Sequence, residues 1–219
     1  MGVFVTGTDT EVGKTVLAAA IARTLAAEGL RVAVFKPAVT GLEEAAEADH
    51  ELLRRASGSA QRDEEIAPYR YGPPASPHLA AALAGEEIEP ARLREAARAA
   101  AASAEILVCE GVGGLLVPLS SGYLVRDLAV DLGYPVAVAA SPGLGTINHT
   151  LLTVEAARAA GLEVALVALT PWPAAPGEIE RSNRETIAAL GGVRVETLPH
   201  LDLAAPETWP ALQLPRLRP

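Results

Sequence analysis

Lysine is nearly absent from this chain of 219 residues: two occur, Lys14 and Lys36, while the remaining sixteen basic side chains are arginine. Cysteine is represented by Cys109 alone, which excludes an internal disulfide framework. No apolar stretch approaches the run of about 20 residues that spans a bilayer. No Lys/Arg block exists either, and a formal net charge of −9 argues against a generic nucleic-acid or anionic-membrane surface. With an apolar run starting almost at the first residue, these absences imply a cytoplasmic location. Asn, Gln, Met and Cys are scarce and proline is plentiful, which fits a thermophilic origin and a compositionally biased genome equally well. Under either explanation the background disfavours lysine. Lys14 and Lys36 are therefore candidates for chemically required ammonium groups.

What the chain does contain is an alternation of β-branched apolar runs and alanine-rich helical patterns. The runs are Val3–Thr6, Val32–Phe35, Ile106–Cys109, Val136–Ala140, Val164–Leu169 and Val193–Thr197. Helices are expected at Lys14–Glu28, Asp49–Ala56, up to about Ser103, and at Thr146–Ala160 and Glu178–Leu190. Continuous apolar strands without in/out alternation signal a parallel sheet covered on both faces. The expectation is one α/β domain over residues 1–219, P-loop NTPase-like, mainly parallel, with helices on both faces. The runs end in Gly7, Lys36, Glu110, Ser141, Thr170 and Pro199, so polar residues collect at the carboxyl edge, where open α/β sheets bind ligands.

Gly7-Thr8-Asp9-Thr10-Glu11-Val12-Gly13-Lys14-Thr15 lies between the first run and the first helix. A glycine-rich turn at a helix start directs backbone N–H groups and positive potential at a phosphate. Lys14 suits the terminal phosphates of a nucleotide, and the Thr15 hydroxyl suits the Mg²⁺ that bridges them. The loop is one residue longer than the usual spacing, because Thr8 stands where the first glycine would fall. Glu110, at a strand end beside this loop, is a candidate metal ligand. Gly111, Gly113 and Gly114 follow it and suit either a close backbone approach or a tight turn. Pro37 disfavours helix at Lys36 and aims its exit from the strand. Asp49 fits two roles, metal ligand and helix cap. Gly143-Leu144-Gly145-Thr146-Ile147-Asn148-His149 reads as a second glycine-rich helix start suited to a carboxylate, with capping by Thr146 as the competing role. The proline-rich tail from Leu201 suits a loop laid over a nucleotide or a frayed end. His149 fits a packed side chain better than a catalyst.

Taken together, the P-loop variant, Lys36-Pro37, Glu110-Gly111-Val112-Gly113-Gly114 with Pro118-Leu119, and Gly145-Thr146-Ile147-Asn148-His149 resemble the dethiobiotin synthetase family. The resemblance runs from residue 1 to about 165 and is weakest over Pro171–Pro219. It implies a homodimeric ligase that uses ATP and Mg²⁺ to carboxylate 7,8-diaminononanoate with CO₂ and close the ureido ring of dethiobiotin. Lys14 and Lys36 are then the catalytic cations, one for the β/γ-phosphates and one for the carbamate and transferring phosphoryl group. Glu11, Val12, Gly13, Thr15, Val16, Asp49, Glu110, Gly111, Val112, Gly113, Thr170, Pro199, His200 and Leu201 would surround the nucleotide. Thr15, Asp49 and Glu110 would hold the metal. Thr10, Glu11, Thr40 and, across the subunit interface, Gly145 and Asn148 would meet the substrate.

Two other classes use the same architecture. Partition- or septum-type regulatory ATPases place an additional lysine five residues before the P-loop lysine, where this chain has Asp9. Amidase-synthetases of cobalamin synthesis add a glutamine-hydrolysing domain, for which 219 residues leave no room. Within the family pattern, Thr170-Pro171 replaces the asparagine that usually reads adenine. One hydroxyl replaces a paired donor and acceptor, so discrimination of ATP from other nucleoside triphosphates is expected to be weak. Competition kinetics test this, and an ATP preference above about hundredfold over CTP and GTP would contradict it.

Overall fold

Residues 1–43 and 47–214 are described by the computed structural model. The stretch Gly41–Ala48, between Thr40 and Asp49, thus lies partly outside the described residues. The chain runs β1 (Gly2–Gly7), α1 (Lys14–Ala27), β2 (Val32–Phe35), α2 (Asp49–Ser57), α3 (Asp63–Ile66), α4 (Pro77–Leu83) and α5 (Pro90–Ala102). It continues as β3 (Ile106–Gly114), β4 (Pro118–Ser120), β5 (Tyr123–Leu124), α6 (Val125–Leu132), β6 (Val136–Ala140) and α7 (Thr146–Ala159). The last elements are β7 (Val164–Trp172), α8 (Glu178–Gly191), β8 (Val195–Pro199) and a single 3-10 turn at Pro206–Thr208. Six strands form one sheet in the order β2-β3-β1-β6-β7-β8, every pairing parallel, and β4 and β5 form a separate small hairpin.

The sheet is apolar on both faces because each face carries its own core. Phe4, Phe35, Leu107, Cys109 and Val138 point to one side, against residues of α4 to α8 such as Leu93, Leu128, Val154 and Ile187. Val3, Val5, Val34, Ile106 and Val108 point to the other, against Leu17 and Ile21 of α1, Leu53 of α2 and Ile66 of α3. Successive strand residues alternate between the two, the period-2 geometry of a pleated strand. The tail through Leu214 is docked rather than frayed. Leu201, Trp209 and Leu214 join the α1/α2 side, the Trp209 indole donates to the Asp202 carbonyl at 2.7 Å, and Leu212 N–H donates to the Thr24 hydroxyl at 3.0 Å.

Several elements differ from the sequence expectation. β3 does not stop at Cys109 but carries Glu110 and the following glycines in the strand as far as Gly114. At Gly111 an added Cβ would lie 2.9 Å from Val125 and 3.2 Å from Phe4, so the missing side chain admits the start of α6. β7 likewise runs through Thr170 to Trp172. The β4–β5 hairpin and α6 were not expected; α6 is eight residues long, too short for its periodicity to stand out.

Strand order explains how distant residues meet. β1 lies between β3 and β6, and β3 lies between β1 and β2, so the loops after β1, β2 and β3 open at neighbouring points of the carboxyl edge. That is a topological switch point. Phe35 is in register with Cys109, which sets Lys36 beside Glu110 on the face of Val34 and Val108. That face is the one covered by α1 and α2.

β2 is an edge strand, and its outer rim is closed by a side chain. The Gln61 amide accepts from Val34 N–H at 2.8 Å and donates to Val34 C=O at 3.1 Å, as a neighbouring strand would. The Ser59 hydroxyl donates to the same Gln61 oxygen at 2.9 Å and fixes the amide's orientation. Lys36 N–H, further along, donates to Ile66 C=O at 2.8 Å. Gln61→Leu is expected to lower stability by about 1–3 kcal/mol by leaving both Val34 groups unpaired, and to expose an edge that invites aggregation. Urea midpoints and light scattering measure both; an unchanged midpoint would show that the amide contributes nothing.

Candidate active site

The P-loop follows β1 into α1 and is shaped by two left-handed residues, Glu11 at φ 58° and Gly13 at φ 84°. Gly13 is the N-cap of α1, and no side chain caps that helix. The amide groups of the first turn are therefore not claimed by a side-chain cap, as an anion site requires. A Cβ on Gly13 would lie 2.7 Å from the Thr170 methyl carbon, so both the backbone angle and the neighbour demand glycine. Thr170 is buried, and its side chain supports the P-loop from below. Lys14, also buried, bends across its own loop to donate to the Asp9 carbonyl at 2.6 Å.

Lys36 is the centre of the site. Its ammonium lies 2.5 Å from Asp49 Oδ2 and 2.6 Å from Glu110 Oε1, and the lysine is 3 % exposed. The Thr15 hydroxyl is 2.9 Å from Asp49 Oδ1 and 2.9 Å from Glu110 Oε1. Four elements meet here: α1 brings Thr15, the exit of β2 brings Lys36, α2 brings Asp49 and β3 brings Glu110. Asp49 does not cap α2. The N-cap is Ala48, whose N–H donates to the Glu51 carboxylate at 2.9 Å, which frees the Asp49 carboxylate for Thr15 and Lys36.

The electrostatics follow from one cation shared by two carboxylates. Burial opposes charge on Lys36, but Glu110 and Asp49 together outweigh it and raise its pKa. Burial would also raise Asp49, yet Lys36 and the Thr15 hydroxyl win and hold it below the ordinary carboxylate value. Glu110 goes the other way: complete burial, helped by Asp49, outweighs Lys36 and pushes it up. Lys14 is lowered, first by burial and then by Lys36, against the pull of Glu110 and Asp49. Cys109 is fully buried and its thiol is pushed well above its usual value by burial, so it is core and no nucleophile.

Two features of this cluster fit a divalent cation. Thr15 has one hydroxyl proton for two carboxylate acceptors, and Glu110 Oε2 is buried with no hydrogen-bond partner. Among the described residues no group of three or more His, Cys, Asp or Glu is placed to hold a metal. Two carboxylates and a hydroxyl suit Mg²⁺, which completes its shell from water and substrate phosphates.

The remaining sequence candidates lie around this centre. Thr10 and Glu11 are exposed on the P-loop, and Thr40 is half-buried after β2. Pro199 and His200 are exposed at the end of β8, while Leu201 is buried in the core beside α1. Gly111 packs under α6 and Gly113 turns the chain at φ 60° before Val117; neither, nor Val112 between them, is drawn into the Lys36 cluster by any hydrogen bond. At the other glycine-rich helix start, Gly145 is the N-cap of α7 at φ 90°, again with no side-chain cap, and Asn148 is exposed on the first turn. Thr146 does not cap; it is buried and its hydroxyl meets that of Thr150 at 3.3 Å. By contrast α2, α3, α6 and α8 each close their own start with an acidic side chain, from Glu51, Glu65, Asp127 and Glu180. Missed by sequence reasoning were Asn183, which binds the Pro142 and Gly143 carbonyls before α7, and Arg55, which binds the Leu203 and Ala204 carbonyls of the tail, both through long-range bonds that leave no local pattern.

Removing the shared cation by Lys36→Met is expected to cost about 3–5 kcal/mol, since it strands two carboxylates, one fully buried. Glu110 then favours protonation in the fold, with a folded pKa above the unfolded carboxyl value of about 4.3, so its part of the deficit is full above the raised folded pKa, shrinks as pH falls through it, and is gone below about 4.3. Glu110→Gln added to Lys36→Met should recover part of the loss. Denaturant midpoints across pH measure this, and a deficit independent of both pH and Glu110 would contradict it.

Comparison with known proteins identifies the family. A family model described as an AAA domain matches residues 1–208. ATP-dependent dethiobiotin synthetase BioD of Anaeromyxobacter dehalogenans strain 2CP-1 is 51% identical over 168 residues, covering 77% of this chain and 75% of that one. Its counterpart in Bacillus subtilis strain 168 is 37% identical, covering 89% and 84%. Among solved structures, the 54 kDa signal recognition particle protein of Aeropyrum pernix K1 in complex with GDP superposes with a TM-score of 0.55 at 17% identity. It covers 92% of this chain and 42% of that one, and shares the P-loop fold. With the P-loop, the Lys36 cluster and these relatives together, the chain belongs to the ATP-dependent dethiobiotin synthetase family.

Proposed function

We propose that the protein is an ATP- and Mg²⁺-dependent ligase that converts 7,8-diaminononanoate and CO₂ to dethiobiotin, releasing ADP and phosphate. The observation that carries this reading is the buried Lys36 ammonium beside the P-loop, within 2.6 Å of Glu110 and next to the Thr15 hydroxyl that starts α1. An amine of the substrate adds to CO₂, forming a carbamate and losing a proton. A carbamate oxygen attacks the γ-phosphorus of ATP and ADP leaves. The second amine then attacks the carbamate carbon, expelling phosphate and losing a proton as the five-membered ring closes.

Each step calls for positioning and charge neutralisation more than for protein acid–base chemistry. Lys14, at the mouth of the P-loop, neutralises the β/γ-phosphates; Lys36, two strands over on the far side of β3, meets the carbamate and the transferring phosphoryl group. Thr15, Asp49 and Glu110 would hold Mg²⁺, which supplies Lewis-acid neutralisation of phosphate oxygens when bound. Thr10 and Glu11, exposed on the P-loop, and Thr40, half-buried after β2, suit the diamine. Pro199 and His200, exposed at the end of β8, suit the base. Thr170, held under Gly13, supports the phosphate loop more directly than the base.

The second uncapped helix start, at Gly145 to Asn148, suits the substrate carboxylate of a partner subunit in a homodimer. Leu144, 97 % exposed, with Leu152 and Ile179, gives that region an apolar surface such a dimer would cover. No helix among the described residues is long and apolar enough to cross a membrane, which is compatible with action in the cytoplasm. A regulatory P-loop ATPase is disfavoured by Asp9, whose carbonyl receives Lys14 where such switches carry another lysine.

The test is ADP formation with purified protein. Release should require the diamine, bicarbonate and Mg²⁺ together and should not respond to DNA or lipid vesicles; turnover indifferent to the diamine would overturn the proposal.

A further inference from the structure

Asn183 lies on α8, far from the P-loop in sequence, and is 7 % exposed. Its amide nitrogen donates to the Pro142 carbonyl at 2.9 Å and to the Gly143 carbonyl at 3.0 Å. Those carbonyls belong to the connection from β6 to α7. That connection has little else to hold it. Gly143 and Gly145 have no side chains, Leu144 is almost fully exposed, and the Ser141 hydroxyl reaches Gly143 N–H only at 3.5 Å. The Gly143 carbonyl also accepts from Thr146 N–H at 3.3 Å, so the Asn183 contact sits directly on the bond that begins α7.

An amide NH₂ has two protons, and both are used here. Asn183 therefore has no donor left for a ligand and acts through the loop it holds. We propose that Asn183 is the positioning residue for substrate-carboxylate recognition: by tying the Pro142–Gly143 peptides to α8 it fixes the direction of the uncapped amide groups at the start of α7. This rests on the reading that the α7 start receives the carboxylate. In the site so formed, specificity for the acid end of the diamine is set by a helix that never touches it.

The experiment compares two substrates, 7,8-diaminononanoate and 2,3-diaminooctane, which keeps the vicinal diamine and lacks the carboxylate. ADP formation is measured for the full-length protein, Asn183→Leu and Asn183→Asp. Leu removes the donors at similar volume; Asp sets a carboxylate against the same two carbonyls. The wild type should favour the acid, and each variant should lose about tenfold of that preference through the KM for diaminononanoate. KM for ATP and kcat/KM for 2,3-diaminooctane should stay within about twofold, since damage confined to folding would lower both substrates alike. A wild type that does not distinguish the two substrates overturns the carboxylate reading itself. A wild type that does, with variants that keep the preference or lose both activities equally, overturns the role of Asn183 and leaves the carboxylate reading standing.

Discussion

One ammonium group held between two carboxylates organises the carboxyl edge of this sheet. Lys36 is buried against Asp49 and Glu110, and each of the three comes from a different element. Taking charges of this kind out of water costs several kcal/mol per ion, which only close pairing and added hydrogen bonds offset. The cluster therefore holds only if β2, β3, α1 and α2 are in their places together. The parallel register supplies that: Phe35 opposite Cys109 brings Lys36 level with Glu110 on the same face. Gln61 then closes the free edge of β2, so the strand that carries Lys36 is bounded on both sides.

The same balance suits the metal and the nucleotide of the proposed function. Two carboxylates exceed the charge of one lysine, one Glu110 oxygen has no partner, and the Thr15 hydroxyl cannot serve two acceptors at once. In the proposed reaction a divalent cation would relieve all three and release part of the hold on Lys36. That would let the ammonium turn to a reacting anion without leaving its pocket. Lys14 is placed differently, curled over its own loop and lowered by burial, as suits a group that waits for phosphate oxygens.

Much of this was legible in the residues. Strand cores, the parallel sheet and most helix limits follow from β-branched runs and glycine stops, and the scarcity of lysine marked Lys14 and Lys36 before any contact was known. Asp49 was ambiguous because an acidic residue at a helix start serves a cap and a site equally well; only the Ala48–Glu51 bond separates the two. The extents of β3 and β7 were misjudged because glycine and proline normally interrupt strands, whereas here Gly111 stays within β3, across an irregularity in the ladder, and leaves room for Val125 and Phe4. Thr170 was placed with the nucleotide because it stands where the family pattern has the adenine-reading asparagine; its contact with Gly13 depends on packing across the sheet edge that no local pattern shows. Asn183, Gln61 and Arg55 gave no signal, since a side chain that pairs with a distant backbone leaves no periodicity behind.

In the proposed function Lys36 acts as a compact point charge at the reacting centre and not merely as a structural cation. Arginine keeps the charge but spreads it over a planar fork. Turnover of diaminononanoate by Lys36→Arg, measured beside nucleotide affinity and thermal stability, is therefore the most direct test. The expected result is a fall in kcat of at least about hundredfold with ATP binding and folding largely retained. Near-normal turnover would remove Lys36 from the chemistry and leave it only a place in the fold.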